Sequence, residues 1–305
     1  MGNSKKRVLV GSPIYQKPAI LKQFLKSLYQ LQQTNILISF IFIDDNQDEQ
    51  SKQLLQALSS SNSNVNIYPS NHSDIYLSDD RTHYWNEQLV WKVASMKDHI
   101  IQYAQDQDYD YLFLIDSDIL LHSETIEHLI SSGKDIISEI FWTKWQPEAH
   151  EQPQVWLWDE YIQWEQKRGE KLTDEEKGLR YQEFLQKMRT PGIYEVGGLG
   201  ACTLISKKAM QKGVNFKAIS NLSFWGEDRH FCVRAAALGI PLYVDTHFPA
   251  YHIYRAADID GADAFLNKED QKIIVEGPPY KLALSMIVKN EGESYLREVL
   301  KEHRK

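Results

Sequence analysis

Residues Leu37 to Ile43 are apolar with a single break, at Ser39. The run has the length of a strand. Its apolarity is near-continuous rather than alternating, so the strand is expected to be buried on both faces. That requires helices above and below it. The flanking sequence supplies them in alternation. Arg7 to Gly11 reads as a first strand closed by Ser12-Pro13, and Pro18 to Gln32 as a helix with Ile20, Leu21, Phe24, Leu25, Leu28 and Leu31 on one face. After Ile43 come a helix over Gln50 to Ser59, a short strand over Val65 to Tyr68, and a long helix from His83 to Asp106. Tyr111 to Ile115 is a fourth strand. Strands alternating with helices predict an α/β fold: a doubly wound, mainly parallel sheet with helices on both faces.

In such sheets ligands sit outside the carboxyl ends of the strands. Three of those ends are polar: Ser12, Asp44-Asp45, and Asp116-Ser117-Asp118. The last is the most informative. On an extended chain residues two apart point to the same side, so Asp116 and Asp118 can converge on one object. Hard carboxylate oxygens in that arrangement suit Mg²⁺ or Mn²⁺, which in turn can hold a diphosphate. Asp-x-Asp triplets also start at Asp106, Asp108 and Asp258, but only the one at Asp116 closes a strand-like run.

The second half is less regular. Strands are expected over Asp135 to Phe141, Thr203 to Ser206 and Pro241 to Val244, and a helix over Thr173 to Met188, opened by a Thr173-x-x-Glu176 capping box. Trp225-Gly226-Glu227-Asp228 opens another helix, through Leu238. Five of the eight tryptophans lie between Trp142 and Trp164. Their flat faces suit either sugar binding or core packing. Gly197-Gly198-Leu199-Gly200 has the wrong spacing for a dinucleotide phosphate loop.

Charge narrows the partners. A net charge of −8 over 305 residues argues against a nucleic-acid binder. No apolar stretch reaches the ~18 residues of a membrane span, and the start of the chain lacks the apolar core of a signal peptide. Cys202 and Cys232 sit in apolar surroundings and read as buried thiols, consistent with a reducing, cytoplasmic setting.

Taken together, these residues resemble a family-2-type glycosyltransferase of the GT-A fold. Five pieces carry the resemblance: Ser12-Pro13-Ile14-Tyr15; Ile43-Asp44-Asp45; Asp116-Ser117-Asp118; Trp225-Gly226-Glu227-Asp228 with Phe231 and Arg234; and Val244-Asp245-Thr246 followed by His252. The resemblance implies a metal-dependent transferase that moves a sugar from a nucleotide-diphospho-sugar, UDP-linked, to an acceptor hydroxyl with inversion. It implies that Ser12, Pro13, Tyr15, Asp44, Asp45, Arg81, Asp116, Ser117, Gly198, Trp142 and Trp225 bind the donor. Asp118 and His252, with Asp116 directly or through water, would hold Mn²⁺ or Mg²⁺, and His247 is the rival of His252. Asp228 would be the base, with Glu227 on donor or acceptor. The acceptor, whether glycan, lipid, protein or small molecule, is not named by these residues.

The bland alternatives are a helix N-cap for Asp44 and Asp45 and dipole-favoured carboxylates for Glu227 and Asp228. A non-catalytic nucleotide- or sugar-binding module would share most of these features. A nucleotidyltransferase would favour a glycine-rich loop with a basic residue after the first strand, where this chain has Ser-Pro-Ile-Tyr-Gln-Lys. Residues 1–276 are expected to be the transferase domain. Residues 277–305 open with Gly277-Pro278-Pro279 and then repeat the pattern of strand, polar turn and helix, as a linker plus the truncated start of a second such domain.

Overall fold

The computed structural model describes residues 5–70, 77–78, 83–84, 86–223 and 226–272. Its elements begin with β1 (Lys6–Ile14), α1 (Pro18–Tyr29), β2 (Ile36–Asp44), α2 (Glu49–Ser61), β3 (Val65–Pro69), β4 (Leu77–Ser78), β5 (His83–Tyr84) and α3 (Glu87–Asp106). Then follow β6 (Tyr111–Leu114), β7 (Ile119–Leu120), α4 (Thr125–Ser131), β8 (Ile136–Thr143), β9 (Gln152–Pro153), β10 (Val155–Trp156) and α5 (Asp174–Met188). The remainder is β11 (Ile193–Val196), β12 (Gly198–Leu199), β13 (Thr203–Ser206), α6 (Lys207–Gln211), α7 (Glu227–Ala237), β14 (Leu242–His252) and α8 (Ile259–Lys272).

The main sheet runs β11-β14-β8-β13-β6-β1-β2-β3. β6, β1, β2 and β3 run parallel to one another, whereas β13 runs antiparallel to both β6 and β8. The sheet is therefore mixed, with a doubly wound parallel half. Alternation along each strand builds two cores. Val8, Val10, Phe40, Phe42 and Phe113 face a layer with α1, α2 and α4. Leu9, Ile41, Ile43, Leu112 and Leu114 face the layer containing α3, α6 and α7. Each such side chain contributes about 1.5–3 kcal/mol by leaving water.

Caps fix the helix starts. Asp48 Oδ1 accepts from Ser51 N and Asn86 Oδ1 from Leu89 N, each at 2.9 Å. Thr173 and Glu176 form the expected capping box. β1 continues past its expected close at Ser12-Pro13 to Ile14. Beyond Gly11 its pairing with β6 has ended and only β2 flanks it, so the missing N–H of Pro13 is tolerated. β14 also runs on past Val244, so Asp245 and His252 are strand residues, with a register shift between Asp245 and Ala250. Helices α4 and α8 and strand β11 were not expected from the sequence.

Contacts divide the chain into a unit ending at Glu269 and a second beginning at Asp270. The suggested linker and repeat of 277–305 lie outside the described residues.

Candidate active site

The carboxyl ends of β1, β2 and β6 open onto a cavity of about 830 Å³. Pro13, Tyr15, Asp45, Asp116, Ser117, Asp118, Glu227, Asp228 and His252 all line it. Segments more than a hundred residues apart in the chain are thus brought to one place by the crossovers of the sheet.

Its floor is organised by a residue that sequence reasoning missed. Lys97 of α3 is 3% exposed. Its Nζ donates to Glu227 Oε1 at 2.7 Å and Asp228 Oδ1 at 3.3 Å, and lies 3.8 Å from Asp116 Oδ1. Burial alone would depress the Lys97 ammonium, but Asp116, Asp228 and Glu227 outweigh it and hold the pKa well above that of a free lysine. Burial also pushes the Asp228 carboxyl up, to about 7, with Lys97 opposing and Glu227 and Asp116 adding to the rise. Asp116 is raised as well, again by burial first and against the pull of Lys97. The signal for Lys97 was present: it sits on the buried face of α3 beside Val93, Met96 and Ile100, and a charge there requires a partner. The same holds for Lys92, whose Nζ meets Asp45 Oδ2 at 2.7 Å. Asp45 Oδ1 is buried without a hydrogen-bond partner among the described residues.

Glu227 and Asp228 open α7, as expected, yet neither caps it. Gly226 precedes them at φ 107°, a conformation open to glycine and strained for other residues. This turn aims both carboxylates at Lys97. Arg234 is spent on the carbonyls of Asn215 and Lys217.

His252 is held by its other ring nitrogen: Nδ1 pairs with Thr143 Oγ1 at 2.8 Å, and Nε2 lies 3.7 Å from Asp118 Oδ1. Backbone pairing of His252 with Ile119, and of Ile253 N with Asp118 O at 2.8 Å, fixes the two together. A cation with bonds of about 2.1 Å has neighbouring ligands about 3 Å apart, so this pair needs only a small closure to share one. A ligand histidine whose second nitrogen is hydrogen-bonded is the usual arrangement. Asp116, Asp118 and His252 do not make a closed three-ligand cage. Among the described residues the trio whose ligand atoms all lie within 4.8 Å of one another is His128, Asp245 and His247.

Several expected donor residues are placed elsewhere. Asp44 turns away from the cavity, its Oδ1 accepting from Asn46 N at 3.0 Å and Nδ2 at 2.7 Å. The helix-capping role considered for it belongs to Asp48. Ser12 is fully buried and donates to the Pro13 carbonyl. Trp142 faces Arg189, whose guanidinium lies 3.9 Å from the ring centroid; the tryptophans that line the cavity are instead Trp145 and Trp156. Gly198 makes room for a protein side chain: a Cβ there would lie 2.0 Å from the Trp156 ring. His247 faces Asp245, not the cavity. Arg81 and Trp225 lie outside the described residues. Cys202 and Cys232 are free, buried thiols, as expected.

Comparison with known proteins places this architecture. Residues 5–144, somewhat under half of the chain, match the family model described as glycosyltransferase family 25, N-terminal domain. GalNAc-T7, solved with UDP, GalNAc and Mn²⁺, superposes with a TM-score of 0.51 at 14% identity, over 83% of this chain and 44% of that one. The chain has the GT-A fold. S. aureus TarS 1-349 with UDP-GlcNAc gives a TM-score of 0.45 at 12% identity, covering 80% of this chain and 57% of that one. The mannosyltransferase PcManGT of Pyrobaculum calidifontis, with GDP-Man and Mn²⁺, gives 0.47 at 10%, covering 90% and 66%. The chain spans less than two thirds of the length of each of these structures. No curated protein matches it. The expected family-2 resemblance therefore holds at the level of the GT-A fold, while the matching family model is that of family 25. That match includes Asp116 and Asp118 but stops short of Glu227, Asp228 and His252. No described helix is long and apolar enough to cross a membrane.

Proposed function

We propose that the domain transfers a sugar from a nucleotide-diphospho-sugar, UDP-linked, to an acceptor hydroxyl, with inversion and with Asp228 as the base. The observation that carries this reading is the convergence of Asp118, His252, Asp116 and the Glu227–Asp228 pair on one cavity at the strand ends. The presence of UDP and Mn²⁺ with GalNAc-T7, whose fold this chain shares, supports the donor class and the cation.

Asp118 and His252 would hold Mn²⁺ or Mg²⁺, with Asp116 beside them. A divalent ion in that place neutralises the charge that develops on a leaving diphosphate. Asp45, whose buried Oδ1 lacks a hydrogen-bond partner among the described residues, suits a hydrogen bond to the nucleoside, with Pro13 and Tyr15 lining the same cavity. As the acceptor oxygen attacks the anomeric carbon, its proton passes to Asp228. A carboxyl poised near 7 is matched to that task. Lys97 holds Asp228 and Glu227 in place, and the aromatic walls limit water. The two buried thiols fit a reducing cytoplasm, and residues 277–305 fit the start of a second domain.

The test is nucleotide release from a panel of UDP-sugars with Mn²⁺, repeated with EDTA and with Asp118→Ala. One productive donor, silenced by both controls, supports the reading, and NMR of the product anomer decides inversion. Binding of nucleotide with no release from UDP-, GDP-, dTDP- or CMP-sugars would leave a binding module in its place.

A further inference from the structure

A second group of metal-binding side chains lies away from the cavity. Asp245 of β14 is fully buried. Its Oδ2 lies 3.0 Å from His128 Nε2 on α4. His247 Nδ1 lies 3.0 and 3.1 Å from Asp245 Oδ1 and Oδ2. The two imidazoles meet edge to face, 4.9 Å between centroids. None of the three residues lines the cavity.

A second acid lies beside Asp245. Glu139 of β8 pairs in register with Asp245 and is 1% exposed. Phe248 N donates to its Oε1 at 3.3 Å, while Oε2 is buried with no hydrogen-bond partner among the described residues. Among the described residues neither acid pairs with a lysine or arginine; the ionic partners of Asp245 are the two imidazoles. A carboxylate taken out of water is stabilised by a cation, and imidazole nitrogens are common ligands for a metal ion.

We infer that His128, Asp245 and His247 form a second divalent-cation site, and that it takes zinc. Zinc bonds of about 2.0–2.2 Å place tetrahedral ligands about 3.3 Å apart. The His–Asp separations of 3.0 and 3.1 Å stand close to that edge. Two nitrogens and one carboxylate suit zinc, whereas the oxygen-richer set at Asp118 suits Mn²⁺ or Mg²⁺. The side chains of His128 and His247 are 29% and 37% exposed, which leaves a path for the ion and a water position on it. The role is a clamp. Zinc ties α4 to β14, and the far end of β14 carries His252 and pairs with β7, just after Asp118. The site braces the frame of the catalytic cavity without joining the chemistry.

The test uses the whole chain bearing Asp118→Ala, to remove competition from the cavity, stripped with a chelator and titrated with Zn²⁺ by calorimetry. One equivalent, a raised melting temperature, and a tetrahedral absorption spectrum with Co²⁺ are expected. Adding His128→Ala or His247→Ala should weaken zinc by about a hundredfold or more while circular dichroism stays unchanged. The inference is overturned by zinc affinity that survives both histidine substitutions, by binding that the Asp118→Ala change already abolishes, or by no saturable binding at all.

Discussion

Two lysines of α3 occupy the same kind of position and meet opposite surroundings. Lys92 and Lys97 are each 3% exposed. Among the described residues Lys92 pairs with one carboxylate, Asp45, and the two side chains are 2% and 5% exposed. Lys97 faces Glu227, Asp228 and Asp116, whose side chains are 10%, 29% and 46% exposed. The first sets one carboxylate against one lysine among the described residues, both almost out of water. The second has one cation among three carboxyls, on a wall that opens to the cavity. Its excess of acid has two outlets: protonation of Asp228, whose pKa is pushed up to about 7, or arrival of positive charge with the substrate. A buried ion pair holds a strand end to a helix, whereas one lysine among three carboxyls is suited to chemistry.

Asp228→Asn should break this contrast most severely. If Asp228 is the base, turnover drops by ~10²–10⁴-fold while nucleotide affinity changes little, read by nucleotide release against calorimetry. A loss below ~10-fold would move the role of base to another group. The next effect belongs to the closed pair. Lys92→Met leaves Asp45 buried without its cation, and breaking such a pair costs roughly 3–5 kcal/mol. Chemical denaturation should show it, and Asp45→Asn in the same chain should recover part of the loss. Equal stability of Lys92→Met and the parent would show that the pair is not closed to water.

Thr143 tests the cavity rim. Its Oγ1 is the partner of His252 Nδ1, so Thr143→Val frees the ring to turn. Mn²⁺ affinity should fall by about 10–100-fold, with the melting temperature of the metal-free chain little changed. Unchanged affinity would remove His252 from the metal reading.

The parallel half was legible because its signals are local. Continuous apolar strands, periodic helices and polar strand ends gave β1 to β3, α1 to α3 and β6 within a few residues. Asp116, Asp118, Glu227 and Asp228 were legible as motifs. Their meeting on Lys97 was not, since it depends on the crossover that lays α7 against α3. Asp44 and Asp45 show the limit of adjacency: neighbours on a strand end point to opposite sides, and only Asp45 faces the cavity. Gly198 and Trp142 were misplaced for a related reason. Each is set by a distant partner, Trp156 or Arg189, that no spacing in the sequence announces. The bulged part of β14, which holds His247 against Asp245, left no periodic trace.

The finest prediction concerns pH and Lys97. A base must be deprotonated to act, so kcat should fall on the acid side of about 7, by about tenfold per unit once well below it. Lys97 opposes the rise of the Asp228 pKa. Lys97→Met removes that opposition, so the acid limb should move to higher pH with the same slope. Stability runs in the matching sense. The folded pKa of Asp228 is raised above the ordinary 3.8, so the folded state binds its proton more tightly than the unfolded chain does. Its contribution is full below the unfolded value and is lost as pH rises through about 7. Asp228→Asn should therefore flatten that part of the stability profile of the metal-free chain, measured by melting temperature across the window. A kcat profile unmoved by Lys97→Met would mean that the lysine only holds the two carboxylates in place and leaves their protonation alone.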